Sequence, residues 1–175
     1  MSRRSLTRFG TILVGAGLLL AITLTTARAD FNDGVAAMVA GDYDKALKTF
    51  VPLAEASDHG YAQYFLARMY ADGRGVEKNP ATAAKWLRKA AEKGIPDAQY
   101  RLGGLYERGE GVPQDMEYAF SWYSVAAHIG NPKADSALKA TTQKLGPDEL
   151  RAAQTLAQDL ISKYGKPAQT ASQTP

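Results

Sequence analysis

The 175-residue chain contains no cysteine and only two histidines. Without cysteine there can be no disulfide, no thiolate-bound metal, no cysteine nucleophile and no lipid attached through a cysteine. The histidines, His59 and His128, are far apart and have no second histidine at metal-ligand spacing. We therefore expect no metal site and no cofactor, and we expect side-chain packing to hold the fold together.

Patterns typical of catalytic sites are also missing. No serine lies in a nucleophile-elbow context, and no Ser-x-x-Lys lies in a catalytic one. The glycine pairs Gly73-x-Gly75 and Gly109-x-Gly111 lack the Lys-Ser or Lys-Thr that closes a phosphate loop. The acidic pairs lie at turns and helix starts, and none resembles a general acid and base in a cleft. The sequence therefore predicts a protein that is not an enzyme.

The chain has no surplus of positive charge after residue 29. The chain has 21 basic and 18 acidic residues, a net charge of +3. Four of the bases lie in residues 1–29, which contain no acid, so 21 − 4 leaves 17 bases against 18 acids and a net charge of −1. A basic surface for nucleic acid is therefore not expected. The composition, 45% hydrophobic and 22% charged, is that of a globular domain.

Residues 1–29 are organised like a secretory signal peptide. Three arginines precede an uncharged apolar run over residues 9–26, and Ala27-Arg28-Ala29 supplies the small residues that a signal peptidase requires. We expect cleavage before Asp30 and a periplasmic or secreted product without stable membrane insertion. An uncleaved anchor is the alternative, because the run is near the lower length limit for crossing a bilayer. Sec and twin-arginine export both fit the paired arginines.

The rest of the chain is dominated by a repeat. Ala62-Gln63-Tyr64 recurs 36 residues later as Ala98-Gln99-Tyr100. The same offset joins further apolar, aromatic and glycine positions, namely Leu66 and Leu102, Tyr70 and Tyr106, Gly73 and Gly109, Gly75 and Gly111, Val76 and Val112, Trp86 and Trp122, and Gly94 and Gly130. Chance does not keep one register through so many positions, so the two units share one fold.

Each unit is predicted to be a helix–turn–helix hairpin. Apolar residues of its second half recur in three- and four-residue steps on one helical face. Asn79-Pro80 and Asn131-Pro132 each place a capping side chain before a proline that suits the first helical position. Trp86 and Trp122 share one position on the second helix, where they are expected to pack in the core and not to stack on a ligand.

The second unit resembles the Sel1-like repeat, a relative of the tetratricopeptide repeat with a longer Gly-x-Gly turn. The residues that carry the resemblance are Ala98, Leu102-Gly103, Leu105-Tyr106, Gly109, Gly111-Val112, Ala119, Trp122, Ala126-Ala127 and Gly130. The preceding unit matches nearly as well, and the stretch from Gly34 to Phe50 resembles an ordinary tetratricopeptide repeat. The resemblance implies an all-α fold, a short right-handed α-solenoid over residues 30–164.

The C-terminal part departs from the repeat. Gly146-Pro147-Asp148-Glu149 opens a helix with apolar residues on one face, ending at Tyr164. We expect this helix to cap the exposed core of the last repeat. Residues 165–175 are small, polar and proline-containing, and are predicted to be a disordered tail.

A groove for a partner is expected on the concave side, which the first helices of stacked hairpins line. Tyrosine beside arginine is typical of interface centres. By the repeat register the outward positions are Tyr61, Tyr64, Arg68, Asp72, Asp97, Tyr100, Gly104, Glu107 and Arg108. The alternative is a solvated helix face whose tyrosines are half-buried against their neighbours.

The resemblance implies a non-enzymatic scaffold or adaptor that binds a protein or peptide segment in this groove. Similar repeat proteins act in envelope assembly, exopolysaccharide control and the regulation of sensor kinases. The alternative is a protein associated with the cell wall or a polysaccharide, including a weak β-lactam-interacting hydrolase as in cysteine-rich relatives. The absence of cysteine disfavours the hydrolase.

Overall fold

The computed structural model describes residues 30–168, which form eight α-helices and contain no strand. Helix α1 covers residues 30–40. The other helices are α2 (Tyr43–Glu55), α3 (Gly60–Asp72), α4 (Pro80–Glu92), α5 (Pro96–Arg108), α6 (Met116–His128), α7 (Ala134–Thr142) and α8 (Pro147–Tyr164). The predicted signal peptide, residues 1–29, and residues 169–175 of the predicted tail lie outside the described residues.

The helices form successive hairpins that share their apolar faces, as the repeat predicts. Helix α3 packs on α2 and α4, and α5 packs on α4 and α6. One cluster of buried side chains extends from α3 to α8, and a second extends from α1 to α3. Phe65 and Trp86 contact both clusters. Each hairpin therefore completes its core with residues of its neighbour, which is the architecture of an α-solenoid.

The two predicted Asn-Pro caps have different outcomes. Asn79 caps α4 through its side-chain oxygen, which accepts a hydrogen bond of 2.9 Å from the backbone N–H of Thr82. Asn131 does not cap a helix, because α7 begins only at Ala134. Its side-chain oxygen accepts from the N–H of Lys133 at 3.0 Å, which closes a local turn and leaves that oxygen outside the helix.

The second glycine of each Gly-x-Gly turn lies where the turn meets the preceding unit. Gly111 has φ of +72°, and a Cβ atom there would lie 2.2 Å from the carbonyl oxygen of Pro80. Gly75 has φ of +71°, and its Cβ would lie 2.6 Å from the Cβ of Tyr43. Only glycine meets both demands, the left-handed backbone and the close approach. The repeated motif is thus a contact between hairpins as well as a turn.

The two tryptophans are not equally buried. Trp122 is 4% exposed and stacks on Tyr164 with ring centroids 5.8 Å apart, which confirms its predicted core position. Trp86 is only half-buried, and the Nζ of Lys89 lies 4.4 Å from its ring centroid. The prediction of a core position is therefore only partly right for Trp86, because no aromatic ring among residues 30–168 stacks on it as Tyr164 does on Trp122.

Helix α8 covers the last repeat, as predicted. It packs along α6 through Ala153 and Ala157, while its polar face is exposed. The side chain of Gln99 joins its end to the solenoid by donating to the carbonyl of Tyr164 at 3.0 Å. The next residues continue along the domain, since the N–H of Ala168 donates to the carbonyl of Gly94 at 3.0 Å. The first four residues of the predicted tail therefore lie against the turn between α4 and α5.

Candidate functional site

A groove of about 420 Å³ lies between α3 and α5. Six of the residues predicted for the partner-binding surface line it, namely Tyr64, Arg68, Asp72, Asp97, Tyr100 and Arg108, together with Gly104. The repeat register therefore brings these side chains to one place, because it aligns the same face of two neighbouring first helices.

Two of the predicted residues lie outside this groove. Tyr61 is at the N-terminal end of α3, where its ring centroid is 6.4 Å from that of Phe31. Glu107 lies behind the groove wall, where its carboxylate accepts hydrogen bonds from the hydroxyl of Tyr123 at 2.8 Å and from the Nζ of Lys144 at 2.7 Å. The hydrogen bond from Lys144 is the main reason that the pKa of Glu107 is lowered, and burial opposes it. Glu107 thus orients a groove residue without lining the groove.

Tyr64 forms part of the groove floor. Its side chain belongs to the core and is 8% exposed, so it is more buried than an outward position implies. Its hydroxyl oxygen accepts a hydrogen bond of 3.1 Å from the Nε of Arg101. The guanidinium carbons of Arg68 and Arg101 each lie 5.9 Å from the Tyr64 ring centroid. Two cations therefore lie near one buried ring, at about the outer limit of cation–π attraction, and Arg101 is also held by its hydrogen bond to the hydroxyl.

Tyr123 closes the groove from α6. Its ring centroid lies 5.5 Å from that of Tyr100. Burial, followed by the hydrogen bond to Glu107, raises the pKa of the Tyr123 hydroxyl, which stays protonated as a donor. The ring fits because α5 has Gly103 at the contact, where a Cβ atom would lie 2.8 Å from the ring. The wall therefore depends on a small residue in α5.

All three carboxylates that line the groove already have partners. Asp72 pairs with the Nε of Arg74 at 3.2 Å, and Glu110 pairs with Arg108 through two contacts of 2.8 and 3.0 Å. Asp97 accepts a hydrogen bond of 3.0 Å from the side-chain amide of Asn131. These pairings leave the carboxylates engaged with this chain's own donors.

Eight lining residues were not predicted, and four of them have polar side chains, namely Arg101, Glu110, Tyr123 and Lys133. Arg101 and Tyr123 occupy the repeat positions of Phe65 and Leu87 in the preceding unit, so the periodicity indicates buried apolar positions for both. A comparison of the positions where the two units differ in polarity could have found them. Lys133 lies beyond the second unit, in the turn before α7.

Two other kinds of feature, a metal-binding cluster and a membrane-spanning helix, are absent from the described residues. Between residues 30 and 168 there is no group of three or more His, Asp or Glu side chains placed to hold a metal ion. Over the same residues no helix combines the length and apolarity needed to span a bilayer. His59 caps α3, as predicted for a helix end, by accepting from the N–H of Ala62 at 3.2 Å through Nδ1. Burial lowers its pKa.

The fold and groove define a short α-solenoid of helix hairpins with a cleft between neighbouring first helices. The family model of the Sel1 repeat matches residues 60–95 and 96–131, which contain the hairpins α3–α4 and α5–α6. The chain is a Sel1 repeat protein, and the predicted all-α solenoid is confirmed.

Two solved structures are similar to the chain. The first is the protective antigen c5321 of uropathogenic Escherichia coli, which displays an SLR fold; it has 31% identity and a TM-score of 0.75 over 85% of this chain and 34% of its own. The second is a Sel1 repeat protein from Oxalobacter formigenes, with 30% identity and a TM-score of 0.61 over 74% of this chain and 55% of its own. The chain thus spans only part of the length of either relative. A search of curated proteins gives no match.

Proposed function

We propose that this chain is a non-enzymatic scaffold that binds an extended segment of another protein in the groove between α3 and α5. The observation that carries the proposal is the convergence of three tyrosine rings and three arginines, Arg68, Arg101 and Arg108, on one cleft. Tyrosine and arginine are enriched at the energetic centres of protein interfaces. Protein binding is also the usual role of Sel1 repeat proteins, which supports the proposal.

A substitution that fills the groove with a larger side chain tests this function. Ala71 lines the groove and is half-buried, whereas Ala152 is exposed on α8 and does not line the groove. We expect Ala71→Trp to fill the cleft and Ala152→Trp to leave it open. Tagged protein is recovered from its native cells, and co-purifying proteins are identified by mass spectrometry. A partner retained by wild type and Ala152→Trp but lost from Ala71→Trp supports the function, and retention of every partner by Ala71→Trp contradicts it.

We further propose that the scaffold is exported and acts in envelope regulation, in the periplasm or outside the cell. The arginines, apolar run and Ala27-Arg28-Ala29 of the N-terminus support this location. Residues 1–29 are fused to alkaline phosphatase, which is active only after export. We expect activity from the fusion and a mature native protein that begins at Asp30. An inactive fusion, or native protein that keeps Met1, contradicts the proposal.

A further inference from the structure

We infer that the segment bound in the groove is acidic and that Arg68 and Arg101 together hold one of its carboxylates. This inference rests on the proposed function and adds the chemistry of the partner. The group held is the carboxylate of an Asp or Glu side chain in a protein segment.

The hydrogen-bonding capacity of the two arginines is the first argument. Their guanidinium carbons each lie 5.9 Å from the Tyr64 ring centroid, and that of Arg68 also lies 5.7 Å from the ring centroid of Phe65. Arg101 uses its Nε toward the Tyr64 hydroxyl. Within residues 30–168 neither arginine donates any other hydrogen bond that meets ordinary geometric criteria. The terminal nitrogens of both therefore remain available, and a planar guanidinium fork matches the two oxygens of a carboxylate.

The charge balance of the groove is the second argument. Among the described residues, no carboxylate lies within 4.0 Å of the cationic nitrogens of Arg68, Arg101 or Lys133. Asp72 pairs with Arg74 and Glu110 pairs with Arg108, whereas Asp97 accepts only from the neutral amide of Asn131. The lining holds four cations against three carboxylates, so 4 − 3 leaves a surplus of one positive charge. Arg68, Arg101 and Lys133 therefore lie in one cleft without an ion-pair partner among residues 30–168, and a ligand of opposite charge complements them.

The floor of the groove favours a peptide over a sugar chain. Leu87 and Leu105 line it and are 4% and 9% exposed, so they contribute a small apolar patch to the cleft. An extended peptide can place an apolar side chain against these leucines and an acidic side chain between the two arginines. The occupant expected from this arrangement is a segment that mixes acidic and apolar residues.

Selection from a random dodecapeptide library on the purified protein tests the inference. We expect the selected peptides to be enriched in Asp and Glu and to lose binding to Ala71→Trp. Changing their acids to Asn and Gln should weaken binding about tenfold or more, as should Arg68→Gln or Arg101→Gln in the protein. The matched control Lys85→Gln removes an exposed cation of α4 outside the groove and should leave the affinity unchanged. Fluorescence anisotropy measures each affinity.

The remaining outcomes separate this inference from the proposed function. Peptides that need an open groove but show no acidic enrichment overturn the inference and leave the scaffold function standing. If no selected peptide is sensitive to Ala71→Trp, both are contradicted. Displacement of the peptides by soluble peptidoglycan fragments at lower concentration overturns the choice of a protein segment. The changes made in the peptide do not depend on the folding of protein variants, which thermal unfolding checks separately.

Discussion

The Nε of Arg101 donates a hydrogen bond of 3.1 Å to the hydroxyl oxygen of Tyr64, across 37 residues of sequence. This bond connects α5 to α3, so one contact joins two repeats and shapes the groove between them. Tyr64 contributes a buried ring and Arg101 an exposed charge, and the pair links the core of the solenoid to its surface.

Removal of the Tyr64 hydroxyl tests this link. Tyr64→Phe keeps the ring and deletes the acceptor, and we expect the free energy of unfolding to fall by about 1 kcal/mol. Tyr61→Phe is the matched control, because Tyr61 is 37% exposed at the N-terminal end of α3 and should change stability by less than about 0.5 kcal/mol. Urea denaturation measures both variants. Equal effects would show that the Arg101 contact does not stabilise the fold.

The Gly-x-Gly turn gives a second prediction. Gly111→Ala places a methyl group against the Pro80 carbonyl in a left-handed backbone, whereas Gly130→Ala has the same strain but no heavy atom within 4 Å. We expect Gly130→Ala to cost about 1–2 kcal/mol. Gly111→Ala should lower the free energy of unfolding clearly more, because the backbone at Pro80 has to shift as well. Thermal unfolding ranks the two, and an equal loss would contradict the contact between hairpins.

The tryptophans give a third prediction. Trp122→Ala removes a buried ring that stacks on Tyr164, and we expect a loss of about 3–5 kcal/mol. Trp86→Ala should cost distinctly less, since that ring is already half in solvent. Chemical denaturation followed by circular dichroism measures both. A larger loss for Trp86→Ala would mean that the boundary between the two core clusters contributes more to stability than the α6–α8 interface does.

The hydrogen bonds of the Glu107 carboxylate should make the free energy of unfolding depend on pH. Its pKa in the folded state lies below the ordinary value of 4.5, mainly because Lys144 donates to it. A lowered folded pKa stabilises the fold above the ordinary value, and this contribution is lost as the pH falls through the folded pKa. We therefore expect the stability difference between wild type and Glu107→Gln to be largest near neutral pH and to shrink below pH 4.5.

Urea denaturation from pH 7 to pH 3 measures this difference. Glu110→Gln is the control, because Glu110 also pairs with a cation but has a side chain that is 53% exposed. Its effect should be smaller and should weaken in salt, since solvent screens exposed pairs. A wild-type advantage over Glu107→Gln that grows toward low pH would contradict the assigned hydrogen bonds.

The repeat period was sufficient to predict the hairpins, the Gly-x-Gly turns and the capping helix. Each of these depends on local backbone chemistry and on apolar residues that recur along the chain. The same register collected Tyr64, Tyr100 and Arg108 in one groove. Periodicity could do this because equivalent positions of stacked helices lie side by side.

The repeat period did not predict the groove residues at positions where one unit has a polar side chain and the other an apolar one. Arg101 stands in place of Phe65, and Tyr123 stands in place of Leu87. Whether the polar end of such a residue reaches the groove depends on three-dimensional packing, such as the space that Gly103 leaves for the Tyr123 ring. Tyr61 was misplaced for a related reason, because its surroundings come from Phe31 of α1 and not from a full Sel1 repeat.

Site-specific photo-crosslinking in intact native cells tests most directly whether the groove is the partner-binding surface. Benzoylphenylalanine replaces Asp72 at the groove rim or, as a control, Gln158 on the exposed face of α8. The account predicts a discrete crosslinked partner from position 72 and none from position 158. The same adduct from both positions, or an adduct from position 158 alone, would contradict it.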